Sequence, residues 1–173
     1  MPLPYPEAYI EYLVYFHGVR DYFECHEILE EEWKKDPRGK RKNHLRGLIQ
    51  IAVGLYHWRR GNTVGAERSI RNAANNLKKE KEALQALALD YPALMAQLDE
   101  VLENVTRGMS FKDINLPVTD RRLVKQCQQR CEMKGCSMNN PSDLTDWRLM
   151  HKHKMPNREQ LISKREMKKR GHL

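Results

Sequence analysis

No stretch of this chain is apolar over a length that could span a membrane. Its longest apolar run, Leu48 to Trp58, is interrupted by Gln50 and His57 and falls well short of the roughly 20 residues a spanning helix needs. The N-terminal Met1-Pro2-Leu3-Pro4-Tyr5-Pro6-Glu7 lacks the basic patch and apolar core of a secretory signal, so a cytoplasmic location is expected. Cysteine is scarce. Cys25 stands alone and Cys127, Cys131 and Cys136 cluster late in the chain, which predicts free thiols rather than a disulfide framework. Alternating β-branched segments are missing as well, which removes the signal for a sheet.

Charge is abundant but unevenly placed. The formal net charge of +8 resolves into 17 basic and 17 acidic residues over 1–119, against 14 and 6 over 120–173. A neutral body therefore carries a basic extension. The expected organisation is an all-helical domain over 1–110, a linker over 111–118 and a basic, helical C-terminal extension over 119–173.

Apolar residues recur at helical spacing throughout the body, which predicts a compact all-α bundle of about five helices joined by antiparallel hairpins. A first helix, Glu7 to His17, is rich in aromatics, with Gly18 placed to end it. Asp21 reads as the N-cap of a second helix running to Lys35, with Glu24 at the capping-box position. Asp36-Pro37-Arg38-Gly39 marks a turn, and a third helix spans Lys42 to Arg60. Gly61-Asn62-Thr63 is short enough to force a hairpin, with Asn62 or Thr63 capping the fourth helix. Ala66, Ile70, Ala73, Leu77, Leu84 and Leu87 form that helix's stripe. Leu94 to Val105 marks a fifth, closed by Gly108. In the extension a helix is expected from Asp120 to Lys134, then a broken segment and a charged helical end after Pro156. A faint echo of a tetratricopeptide unit around Gly54 and Gly61 has no second copy, so a repeat solenoid is not expected.

The chemically informative residues are polar ones at apolar positions. With Glu24 at zero and about 100° per residue, Leu29, Tyr22, Trp33, His26, Glu30 and Phe23 fall on one face of the second helix. A buried carboxylate is costly unless paired or bound to metal, so His26 and Glu30 require a partner. The third helix supplies candidates, since Arg46, Gln50 and His57 share a strip on an otherwise apolar helix. Facing each other, the two strips would form a buried or cleft-lining cluster of His26, Glu30, Gln50 and His57, flanked by Trp33 and Arg46.

Two chemistries fit such a cluster. One is a hydrogen-bond network that locks helix register. In the other, His26-Glu27-Ile28-Leu29-Glu30 acts as a variant of the zincin pattern, with His26, Glu30 and His57 holding a divalent metal and Glu27 serving as general base. A di-iron arrangement is not favoured, because neither His26 nor His57 follows a Glu at the required spacing.

Asp21-Tyr22-Phe23-Glu24-Cys25-His26-Glu27-Ile28-Leu29-Glu30, Trp33, Gly47-Leu48-Ile49-Gln50-Ile51-Ala52, Tyr56-His57, Gly61-Asn62 and Gly65-Ala66 together resemble the helical family called domain of unknown function 309, over about residues 8–80. The resemblance implies a compact all-α domain with the two motif helices adjacent, and it implies no reaction. Cys25 stands where many members have a small Ala, which suits a packing role.

Around the turn between helices two and three, Lys34, Lys35, Arg38, Lys40, Arg41 and Lys42 set six positive charges against Asp36. With Arg121, Arg122, Lys125, Lys152, Lys154 and the stretch from Lys164 to Arg170, they make phosphate-attracting surface. Nucleic acid is not the favoured partner. Trp147 is the one aromatic residue after position 119, so no stacking platform for single strands exists, and no groove-reading module is recognisable. An acidic protein partner fits the same charge. Cys127, Cys131 and Cys136, with His151 or His153 as a fourth ligand, are a candidate zinc site whose spacing matches no common ribbon or finger. The expected function is a non-enzymatic interaction or scaffold module; a metal-dependent or acid/base hydrolase is the alternative, and nucleic-acid binding a third.

Overall fold

The computed structural model describes residues 2–154. The charged helical end expected after Pro156, including Lys164 to Arg170, lies outside the described residues. Eight α-helices occur among the described residues: α1 Glu7–Val14, α2 Tyr22–Lys34, α3 Asn43–Arg59, α4 Thr63–Leu77, α5 Lys81–Ala86, α6 Tyr91–Thr106, α7 Arg121–Met133 and α8 Trp147–Met150. The fold is all-α; its only β pairing among these residues is an isolated antiparallel bridge between Leu89 and Val118. None of these helices is long and apolar enough to cross a membrane.

Capping chemistry sets the helix starts. Asp21 accepts from the Glu24 amide at 3.0 Å and begins α2. Asn62 does the same for α4 through Gly65, also at 3.0 Å, each satisfying a donor that the first turn leaves free. Asp90, Asp120 and Asp146 cap α6, α7 and α8 in the same way.

The centre of the bundle is α3, packed between α2 and α4. Leu48, Ile51, Ala52 and Leu55 are fully buried along it. Its glycines decide how near α4 comes. A Cβ on Gly47 would stand 2.4 Å from Leu77 Cδ2, and one on Gly54 would stand 2.5 Å from Ile70 Cδ1. Ala66, Ile70, Ala73 and Leu77 accordingly lie fully buried against α3.

Two boundaries differ from the sequence expectation. The apolar stripe of α4 does not run on to Leu84 and Leu87: the helix stops at Leu77, and Leu84 belongs to the separate short α5. The first helix does not end at Gly18. After Val14 it widens into a π-helical turn, Tyr15–Val19, and Arg20 stops it in the left-handed region at φ 59°. Gly18 serves packing instead, because a Cβ there would sit 2.3 Å from Cys131 Sγ on α7.

The segments after residue 110 lie against the body. Phe111 meets Trp58 with ring centroids 5.2 Å apart, Leu116 is buried, and Thr119 donates its amide to the Ala88 carbonyl at 2.7 Å. On α7, Leu123, Cys127 and Cys131 at helical spacing join the core. Arg130 on the same helix pairs with Glu7 at 2.5 Å and Glu11 at 2.6 Å on α1.

Candidate functional site

The buried face of α2 is Tyr22, Cys25 and Leu29. It is turned toward Cys25 relative to the predicted face because α1 covers that side, where the Cys25 thiol lies 3.4 Å from the Tyr12 carbonyl. His26 and Glu30 are thereby moved to the shoulder, with 28% and 30% of their side chains exposed. Of the two arrangements expected, buried or cleft-lining, theirs is not the buried one. His26 Nε2 meets Glu30 Oε2 at 2.6 Å and Lys34 Nζ meets the other Glu30 oxygen at 2.8 Å. Hydrogen bonding by Lys34, followed by the charge of His26, holds the Glu30 carboxyl below its usual range against the opposing effect of burial. Glu27 stands 3.8 Å from His26 Nδ1 and is exposed.

The polar strip of α3 divides three ways. Arg46 is exposed at the basic turn. Gln50 turns to α4 rather than α2, and its Oε1 accepts from Asn76 Nδ2 at 2.6 Å. His57 is the one member that reaches a cleft shared with His26. Its Nδ1 accepts from both Arg60 and Asn62 at 3.3 Å, which leaves Nε2 protonated in the neutral ring. Burial first, then the neighbouring Arg60 charge, pushes the His57 pKa down. A guanidinium at this position also opposes a divalent cation. Among the described residues no three His, Cys, Asp or Glu side chains gather as metal donors, so His26, Glu30 and His57 do not converge as the zincin-like reading requires.

The shared cleft, open to solvent, offers about 200 Å³ between α2 and α3. Phe23 and Tyr56 form its floor, with ring centroids 5.7 Å apart. Val53 contributes an aliphatic wall, and His153 from the C-terminal segment closes one side. The Tyr56 hydroxyl is hydrogen-bonded to His153 Nδ1 and accepts from the His153 amide at 2.9 Å.

The opposite end of the α2/α3 pair carries the basic turn. Arg41 stacks over Trp33 with 4.7 Å to the ring centroid and donates to the Asp36 carbonyl at 3.1 Å. Trp33, Arg38, Gly39, Arg41, Asn43 and Arg46 surround a shallow depression there. Lys34 and Lys35 are paired with Glu30 and Glu32. Arg38, Lys40, Lys42 and Arg46 have no carboxylate partner among the described residues.

The buried polar residues are His17, Arg20, Asp21 and Arg59; of these only Asp21 is expected from the sequence, as a helix cap. Arg59 donates to the Arg20 carbonyl at 2.6 Å, to Ser142 Oγ at 3.0 Å and to the Leu149 carbonyl at 3.2 Å. Arg20 binds the carbonyls of Ile114 at 2.7 Å and Asn140 at 2.8 Å, and Asn115 Oδ1 at 2.6 Å. Asp113 takes the Tyr22 hydroxyl at 2.5 Å and both donors of Ser142 at 2.6 Å. These bonds strap residues 113–149 across the ends of α1 and α3. One signal was present in the sequence, since Arg59 prolongs the apolar stripe of Leu48, Ala52 and Leu55.

The three late cysteines do not assemble as zinc ligands. Cys127 and Cys131 point into the interface with α1, where burial pushes their thiols up to about 11 and about 12. The Cys136 thiol donates to the Cys131 carbonyl at 3.4 Å. Both histidines expected as a fourth ligand have other partners: His151 packs on Trp147 with centroids 5.1 Å apart, and His153 is bonded to Tyr56.

A family model described as Domain of unknown function (DUF309) matches residues 9–69, which span α1 to the first half of α4. The chain is also similar to the uncharacterized protein YpuF of Bacillus subtilis (strain 168), with 45% identity over 162 residues, covering 94% of this chain and 93% of the relative. No solved structure matches it. The match therefore extends beyond the family motifs through the strap that Arg20 and Arg59 hold, and on this similarity the chain belongs to the DUF309 family.

Proposed function

We propose that this protein is a cytoplasmic, non-enzymatic interaction module that engages an acidic protein partner through the basic turn between α2 and α3. The observation that carries this reading is the set of unpaired cations at the turn: Arg38 and Arg46 line the depression that holds the Trp33–Arg41 stack, Lys40 and Lys42 lie on the same turn, and none has a neutralising carboxylate among the described residues. Neighbouring lysines on α2 are by contrast already paired. Like charges clustered on one surface steer and orient an oppositely charged partner. An aromatic with a stacked guanidinium supplies the anchor that such interfaces favour. The His26–Glu30–Lys34 chain, whose members satisfy one another, supports a structural role for α2's polar residues.

The test is fluorescence anisotropy with an acidic Glu/Asp peptide, a single-stranded oligonucleotide and a duplex at physiological ionic strength. The peptide is expected to bind, more weakly as salt rises, and the R38E/K40E/K42E variant is expected to lose it without a change in melting temperature. Tighter binding of either nucleic acid would replace the reading with nucleic-acid recognition. Failure of the peptide to bind at all would end it.

A further inference from the structure

A second site lies at the other end of the same helix pair and is independent of the basic turn. We infer that the cleft between α2 and α3 binds a small carboxylate with a compact apolar body, the carboxylate at Arg60 and the body on Phe23, Val53 and Tyr56.

The cavity's size selects the body. At about 200 Å³ it somewhat exceeds the 150 Å³ cavity that accepts benzene in an engineered protein, so it suits one six-membered ring with a small substituent. Its surface selects an apolar group. Phe23 packs edge-on against His26 with centroids 5.8 Å apart and at 5.7 Å from Tyr56, leaving ring surfaces and Val53 to cover a ligand.

Arg60 selects the charge. It follows the last residue of α3, and its guanidinium lies 5.8 Å from the centroid of the Tyr56 ring. Its side-chain bond is to the neutral nitrogen of His57. Its Nε is buried and has no hydrogen-bond partner, and no carboxylate pairs with it among the described residues. The nearby acids are already engaged: Glu30 with His26 and Lys34, Asp21 and Glu24 with Lys152. A buried donor without an acceptor calls for an explanation, and a planar carboxylate matches the guanidinium fork. His57 and His153 line the same cleft, and Asn62 is bonded to His57. An inorganic anion would satisfy the charge but leave the aromatic floor uncovered.

The experiment is a titration of the full-length protein, followed by amide chemical shifts, with benzoate, benzyl alcohol and inorganic phosphate as probes. Benzoate is expected to bind saturably with a Kd of about 1 mM or tighter, with shifts concentrated at Phe23, Tyr56, Arg60 and His153. Benzyl alcohol and phosphate should each bind at least about tenfold more weakly, and Arg60→Gln should weaken benzoate by a similar factor. Val53→Phe fills the cleft from the apolar side and should abolish binding while leaving the Arg60 charge in place, which keeps the test open if Arg60→Gln does not fold. Three results overturn the inference: no saturable shift at these residues, benzyl alcohol binding as tightly as benzoate, or unchanged benzoate affinity in a folded Arg60→Gln or Val53→Phe protein.

Discussion

The guanidinium of Arg59 lies 4.7 Å from the centroid of the Tyr22 ring, both residues almost fully buried. Tyr22 passes the connection on through its hydroxyl to Asp113, which holds Ser142. Removing Arg59 leaves the Arg20 and Leu149 carbonyls without their donor. Arg59→Ala is expected to lower stability by about 2–4 kcal/mol, read from the urea midpoint, and to increase amide exchange in residues 139–150. A loss under about 0.5 kcal/mol would show that the strap does not depend on this contact.

Gly18 allows α7 to approach the end of α1. Gly18→Ala puts a methyl 2.3 Å from Cys131 Sγ and 3.0 Å from Cys136 Sγ, so a cost of about 1–3 kcal/mol is expected from overpacking. The 18–131 clash is specific. Adding Cys131→Ala removes the nearest sulfur and should make the double variant lose less than the sum of the two single losses. Strict additivity in thermal or urea unfolding would count against the contact.

Acid should weaken the fold through His17. Its Nδ1 donates to the Leu13 carbonyl at 3.0 Å while its Nε2 accepts from the Leu116 amide at 2.9 Å, so the neutral ring is required. Burial pushes its pKa from the ordinary 6.5 down to about 4, outweighing the hydrogen bond to Leu13. The folded-state value lies below the unfolded one. The unfolded chain thus binds the extra proton between about pH 6.5 and pH 4, and stability falls as pH drops through that window. The loss attributable to His17 is about 3 kcal/mol. An imidazole resonance of His17 that titrates near 6.5 in the native protein would refute this.

Metal should not act on the α2 motif. Glu30 is held by Lys34 and His26, and His57 faces Arg60 rather than the pair. Protein purified without an affinity tag is expected to carry zinc, manganese or iron well below one equivalent, and added metal should leave its melting temperature unchanged. Stoichiometric metal that is lost in a His26→Ala variant would restore the zincin-like reading.

The helices that the sequence exposes best are those with local punctuation. Asp21, Asn62 and Asp120 act on amides two or three residues away, and periodic stripes such as Ala66, Ile70, Ala73 and Leu77 need only the helix's own geometry. The first helix was less readable. Gly18 has the composition of a stop signal, but its small size serves α7, and Arg20 makes the left-handed turn at a cost of about 1 kcal/mol against the bonds its buried side chain forms. At the α2 cluster the wheel placed the right side chains within about a quarter turn. It could not choose which edge of the face α1 would cover, so His26 and Glu30 emerged on the shoulder and Gln50 turned to Asn76.

By itself the sequence determined the all-helical class, the caps of α2 and α4, the family motifs and the concentration of positive charge, because periodicity, capping and composition act within a few turns of one chain segment. Only the tertiary structure decided which polar residues are buried. His17 receives its amide donor from a residue 99 positions away, Arg20 reaches a carbonyl 120 positions away, and Arg59 reaches a hydroxyl 83 positions away. A polar side chain is stable in the interior only where partners arrive to replace water. Those partners come from the linker and the polar extension that follow the helical body.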